Sequence, residues 1–99
     1  MKKGSTPTFS FDLFGQNIED IIEIEITFSQ EGFPIVKKHK EDCEIVNNSF
    51  VVTLSQEETF LFDGERAEVQ VRIKKANETV LTSDIISIKI EESLSNEVL

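Results

Sequence analysis

The sequence predicts an all-β domain, an immunoglobulin-like antiparallel β-sandwich of seven to eight strands with one short helical turn near residues 55–61. Three observations carry that expectation. Apolar and polar residues alternate with period two in one run after another. Turn-forming residues separate the runs at intervals far shorter than the dozen or more residues that a parallel crossover needs, so neighbouring strands must run antiparallel. Finally, Cys43 and His39 are the sole cysteine and histidine, which leaves neither a disulfide nor a soft-ligand zinc site to staple the chain. The fold must be held by packing, and a chain of this size buries enough surface for a modest core. A small closed barrel is the structural competitor, because alternation alone does not separate it from two packed sheets.

The elements follow in order. Phe9-Ser10-Phe11-Asp12-Leu13 is the first strand, and Ile22-Glu23-Ile24-Glu25-Ile26-Thr27-Phe28 the second, with Ile22, Ile24, Ile26 and Phe28 expected on the buried face. Gln30-Glu31-Gly32 turns into a third strand over 33–38. A fourth, over 43–46, joins Phe50-Val51-Val52-Thr53-Leu54 through Asn47-Asn48, residues that tolerate the left-handed backbone of a tight hairpin. Ser55-Gln56-Glu57-Glu58 has the form of a capping box and starts the helical turn, the connection between the fifth and sixth strands of such a sandwich. Ala67–Ile73, the segment 79–83 and Ile86–Glu91 complete the strands, with Ala76-Asn77-Glu78 as the turn before the last two. Ninety-nine residues make a single domain, 1–99, with 1–6 and 92–99 as candidate flexible ends. Phe9, Phe11, Phe28, Phe33 and Phe50 are expected in the core, whereas Phe14, Phe60 and Phe62 lie near strand ends, where an apolar patch would mark an interface.

Composition narrows the function. Nineteen acidic against ten basic residues give a net charge of −9, which repels a nucleic-acid backbone and an anionic lipid surface, so neither is an expected partner. No segment approaches the roughly 18 apolar residues of a membrane helix, and Met1-Lys2-Lys3-Gly4 leads into Ser5-Thr6-Pro7-Thr8, not into a signal-peptide core. Synthesis in a cytosol-type compartment is expected, with Asn47-Asn48-Ser49 and Asn77-Glu78-Thr79 read as hairpin residues and not as glycan acceptors. The run His39-Lys40-Glu41-Asp42-Cys43 holds the most reactive side chains, but its spacing matches no metal motif and nothing orients the histidine; Cys43 reads as a small buried hydrophobe. Glu23, Glu25 and Glu68 alternate on strand faces. A sugar hydrolase or carbohydrate-binding module built on them would need aromatic platforms, and the chain has neither Trp nor Tyr. No catalytic residue, cofactor or metal is assigned, and the expectation is a protein that is not an enzyme.

Several segments resemble a known family. Lys3-Gly4-Ser5-Thr6-Pro7-Thr8, the Cys43 strand leading to Asn47-Asn48, Leu54-Ser55-Gln56-Glu57-Glu58-Thr59 with Phe62-Asp63-Gly64, Val69-Gln70-Val71-Arg72, Leu81-Thr82-Ser83-Asp84-Ile85-Ile86 and Asn96-Glu97-Val98-Leu99 resemble small proteins encoded in prophages of Gram-positive bacteria. The stretch from Leu54-Ser55 to Arg72 also looks like the immunoglobulin-like N-terminal domain of upper baseplate proteins of phages infecting lactic-acid bacteria, a weaker likeness over part of the chain. The first resemblance implies a free-standing phage-encoded domain, and the second an assembly or adaptor module in a tail. Together they imply a structural or protein-interaction module associated with the tail or baseplate. Its partners would be other phage structural proteins or itself, with host cytoplasm as its place of synthesis and the virion as a destination. The alternative is an acidic cytoplasmic accessory factor that binds a host protein.

The candidate interface residues are Ser10, Asp12, Phe14, Lys37, Lys38 and Lys40. Lys37, Lys38 and Lys40 read as guards on one sheet edge. The first strand, with Asp12 as its single charge, reads as an open edge to which a partner strand adds, and Phe14 as the filler of a pocket beside that junction.

Overall fold

Period-two alternation sorts the strands into two layers in the computed structural model, which describes residues 1–13 and 15–99. The strands are β1 (Thr8–Asp12), β2 (Ile21–Gln30), β3 (Phe33–His39), β4 (Glu44–Val46), β5 (Ser49–Thr53), β6 (Arg66–Lys75), β7 (Val80–Thr82) and β8 (Ile86–Lys89), with the helical turn α1 (Gln56–Thr59) between β5 and β6. The smaller sheet has the order β1-β5-β4. The larger runs β3-β2-β6, and β6 pairs along its far side with both β7 and β8. Every ladder is antiparallel.

This is the strand order of an immunoglobulin-like sandwich, with β1, β5 and β4 in the places of its strands B, E and D, and β3, β2, β6 and the β7–β8 pair in those of C′, C, F and G; among the described residues no outer strand flanks β1. A barrel would need a ladder closing one layer onto the other, and the ladders among the described residues stay within each layer. The core lies between the layers. Ile24, Ile26 and Phe28 of β2 stand opposite Ile73, Val71 and Val69 of β6, and Phe50 and Val52 of β5 meet them from the other layer, all of them buried.

Two positions differ from the sequence expectation. The β2–β6 register shifts between Ile21 and Glu23, so Ile21 enters the core and Ile22 is pushed to the surface. Phe33 is 71% exposed, because it pairs with Gln30 at the tip of the β2–β3 hairpin, past a second register shift between Phe28 and Ser29. Of the three phenylalanines left open, Phe62 is fully buried, Phe60 is half-buried and Phe14 lies outside the described residues.

The N-terminal segment is tied down. Lys3 N donates to Glu91 O (2.9 Å) and Glu91 N to Met1 O (2.8 Å), which continues the β8 edge as a parallel bridge. Gly4 N donates to the buried Thr59 hydroxyl of α1 at 2.9 Å. Gly4 has φ +80°, and a Cβ there would stand 2.7 Å from Phe60 Cζ, so the close approach of this segment to α1 requires glycine. At the other end Gln56 grips the backbone of Leu99, with Leu99 N donating to its Oε1 at 2.7 Å. Leu94 and Leu99 themselves are fully exposed.

The β2–β3 turn places both Glu31 (φ 51°) and Gly32 (φ 82°) in the left-handed region, as a two-residue type I′ turn demands. Glutamate is poorly suited to that conformation and asparagine well suited. Glu31→Asn is therefore expected to raise the unfolding free energy by up to about 1 kcal/mol, read as a higher urea midpoint at unchanged slope. An unchanged or lowered midpoint would show that the turn stores no such strain.

Candidate functional site: an open strand edge

The reactive-looking residues do not form a catalytic constellation. Ligand atoms of His39, Glu41 and Asp42 lie within 4.8 Å of one another on the 3-10 turn after β3, but all three side chains are exposed. Asp42 Oδ2 is occupied in accepting from His39 N at 2.8 Å. Burial pushes the Cys43 thiol up, and the Asp42 and Glu41 carboxylates push it further, so thiolate is scarce at neutral pH. A nucleophilic or metal-binding cysteine needs the opposite. Cys43 instead packs half-buried against the core. On the outer face of the larger sheet Glu25 is paired with Arg72 at 3.7 Å, and the groove beside them also holds Lys74, so the alternating carboxylates meet cations there.

The basic run divides into three different roles. Lys37 is exposed on β3 as an edge guard would be. Lys38 pairs with Ile26 and so turns toward the inner face, where its side chain is only 16% exposed and its Nζ lies 2.8 Å from Glu58 Oε2 and 2.9 Å from Oε1. That same Glu58 closes the capping box read from the sequence: Ser55 N donates to its Oε1 at 2.8 Å, and Glu58 N donates to Ser55 Oγ at 3.1 Å. Lys40 bends back to β2 and donates to Ile21 O at 2.7 Å, beside the displaced Ile22. The expected guard of three lysines is thus one exposed lysine and two structural ones. The edge has a further guard that the charge pattern did not show, Pro34, which contributes no amide.

β1 is an edge of the smaller sheet, as its sequence suggested. Its backbone orientation follows from the register. Leu54 N donates to Pro7 O at 3.0 Å, which marks Pro7 and Leu54 as a bonded pair. Bonded and non-bonded pairs alternate along an antiparallel ladder, so Phe9 with Val52 and Phe11 with Phe50 are bonded pairs too. The N–H and C=O groups of Thr8, Ser10 and Asp12 therefore point away from β5 into solvent. The 3.0 Å contact between the Thr8 and Thr53 hydroxyls fits the closer side-chain spacing of a non-bonded pair.

Among the described residues no other edge offers as much. β4 and β7 have three residues each, β8 has four and is continued by the Met1–Lys3 bridge, and β3 carries Pro34, Lys37 and a bulge. β1 presents five residues with one charge. Ser10 and Asp12 thus sit together on the open edge, Lys37, Lys38 and Lys40 lie on or beside the edge strand of the other sheet, and Phe14 lies outside the described residues. The five described positions do not form one surface. Thr8 opens the edge strand read from the sequence but was not among its candidate interface residues, because its outward backbone shows only once the register is known.

Among the described residues no helix is long and apolar enough to cross a membrane. No family model matches the chain, and no curated protein or solved structure matches it, so function has to be read from the fold and from this edge.

Proposed function

We propose that the chain is a non-enzymatic protein-interaction module of a prophage, associated with the tail or baseplate, that binds through β1. The observation that carries the reading is the five-residue edge whose Thr8, Ser10 and Asp12 amides and carbonyls face solvent, in a sandwich whose other edges are short, bridged or blunted. Strand addition at such an edge gives main-chain hydrogen bonds for affinity and alternate side chains for specificity. The resemblance of the segments quoted above to prophage and baseplate proteins supports the setting.

The expected result is that the chain copurifies with particles of the phage that encodes it, and that Ser10→Pro, which removes an outward amide and leaves the β5 ladder intact, cuts its incorporation about tenfold. Incorporation of a folded Ser10→Pro variant at the wild-type level would rule out β1. Absence of the wild-type chain from particles, with cofractionation in the host cytoplasm, would favour the second reading, an acidic accessory factor that binds a host protein. One feature speaks for that alternative: the groove that the exposed Phe33 lines carries four acidic residues, Glu31, Asp63, Glu65 and Glu68, against one cation, Arg66, a net negative surface suited to a basic segment.

A further inference from the structure

We propose that the β1 edge pairs with the β1 edge of a second copy of this chain, antiparallel and centred on Ser10. The inference rests on reading β1 as the partner surface and names the partner. With Ser10 facing Ser10 of the second copy, Thr8 faces Asp12 and Asp12 faces Thr8. All three outward residues are then used at once, each facing pair exchanging two bonds, about six in all. A one-residue slip would bring Phe9 and Phe11 to the seam, and their backbones are already bonded to β5. A slip of the seam toward either end of the strand loses one of the three pairs, and a larger slip toward Asp12 sets the two Asp12 carboxylates opposite each other. The centred register avoids both.

Charge and apolar surface agree with a second copy as the occupant. The protein carries −9, which opposes self-association over most of its surface, yet the seam holds one charge per copy and places it opposite a threonine hydroxyl. On the inner face Phe9 comes opposite Phe11 of the second copy in a non-bonded pair, the closer of the two spacings, where aromatic pairs contribute most. The smaller sheet also stops one strand short. β1 and β8 lie on the same side of the sandwich, because Lys3, bonded to Glu91, precedes β1 by only a few residues. Ile86 of β8 pairs with the buried Val69 and so faces inward, yet it is 48% exposed. A strand added to β1 extends the smaller sheet toward that uncovered position.

The seam is short for a stable interface, so the dimer is expected in the micromolar range and should tighten as salt screens the net charge. In the Cys43→Ala background, Ser10→Cys is expected to form a disulfide-linked dimer under mild oxidation, since Cα atoms across a bonded pair lie about 5.5 Å apart, within disulfide reach. Thr8→Cys mixed with Asp12→Cys should cross-link as well, and Thr8→Cys alone should not. Sedimentation of the unmodified chain, from about 10 μM to 1 mM, should show concentration-dependent dimer that Ser10→Pro weakens roughly tenfold. Cross-linking of Ser10→Cys no faster than that of Thr82→Cys on β7, or a strictly monomeric wild type, would overturn the proposal. If in that case Ser10→Pro still prevents incorporation into particles, only the second copy is eliminated and another protein strand occupies β1; if incorporation is also unaffected, the β1 reading falls with it.

Discussion

Phe28→Ala is expected to cost about 3–5 kcal/mol of folding free energy, the largest single-site effect in this domain. Phe28 is fully buried on β2. Its ring lies 5.3 Å from that of Phe9 on β1 and 6.4 Å from that of Phe62, which it meets edge-on, so it joins both layers and the loop after α1. Along the larger sheet it stands between Val36 and Val69. Truncation removes the transfer free energy of the ring and also leaves a cavity that residues fixed on four separate segments are poorly able to close. For a domain of this size the loss corresponds to a drop in melting temperature of roughly 15 °C or more. Phe33→Ala supplies the internal comparison: its ring is exposed, and the expected change stays within about 0.5 kcal/mol. Equal losses at the two positions in thermal or urea unfolding would contradict the burial pattern.

The contrast between these two phenylalanines shows what the sequence could reveal. Alternation located β1, β2, β5, β6 and β8, because a half-buried strand writes its own period of two and needs no knowledge of its neighbours, while β3, β4 and β7 were legible only as weaker strands between turns, β4 having no buried residue to mark a period. The capping box at Ser55 and Glu58 and the turn at Glu31 and Gly32 were legible for the same reason: their chemistry closes within four residues. Ile22 and Phe33 were misplaced because a bulge is a relation between two strands. The shift at Ile21 and Glu23 exists only relative to β6, and the shift at Phe28 and Ser29 only relative to β3. The lysines show the same limit. Lys37 and Lys38 are adjacent in a basic run, and only the pairing of Lys38 with Ile26 sends it inward to Glu58. For the candidate edge, the paucity of charge on β1 was visible in its sequence, while the outward direction of Thr8, Ser10 and Asp12 depends on the bond from Leu54 to Pro7.

The ion pair hidden in that basic run makes stability depend on pH. Burial by itself would push the Glu58 carboxyl up, but the hydrogen bond and charge of Lys38, with the bonds from Ser55, outweigh it and hold the group below its ordinary value. A carboxyl depressed in the folded state adds stability above its unfolded-state pKa, and that stability is lost as the pH falls below about 4.5 and through the folded value. Lys38→Met removes the partner and leaves a partly covered carboxylate, so at pH 7 it is expected to cost about 1–3 kcal/mol, less than a fully buried pair because both side chains retain some contact with water. Acidification from pH 7 toward pH 2 carries Glu58 toward its protonated form, and the gap between wild type and variant should shrink markedly as the carboxylate is lost. Lys37→Met, one residue away on the exposed side, should change stability by no more than about 0.5 kcal/mol at either pH. Urea midpoints of the three proteins at the two pH values decide the matter. A Lys38→Met deficit of the same size at both would assign the effect to lost packing of the lysine stem, and a deficit equal to that of Lys37→Met would mean that the charge of Lys38 is not what holds β3 to α1.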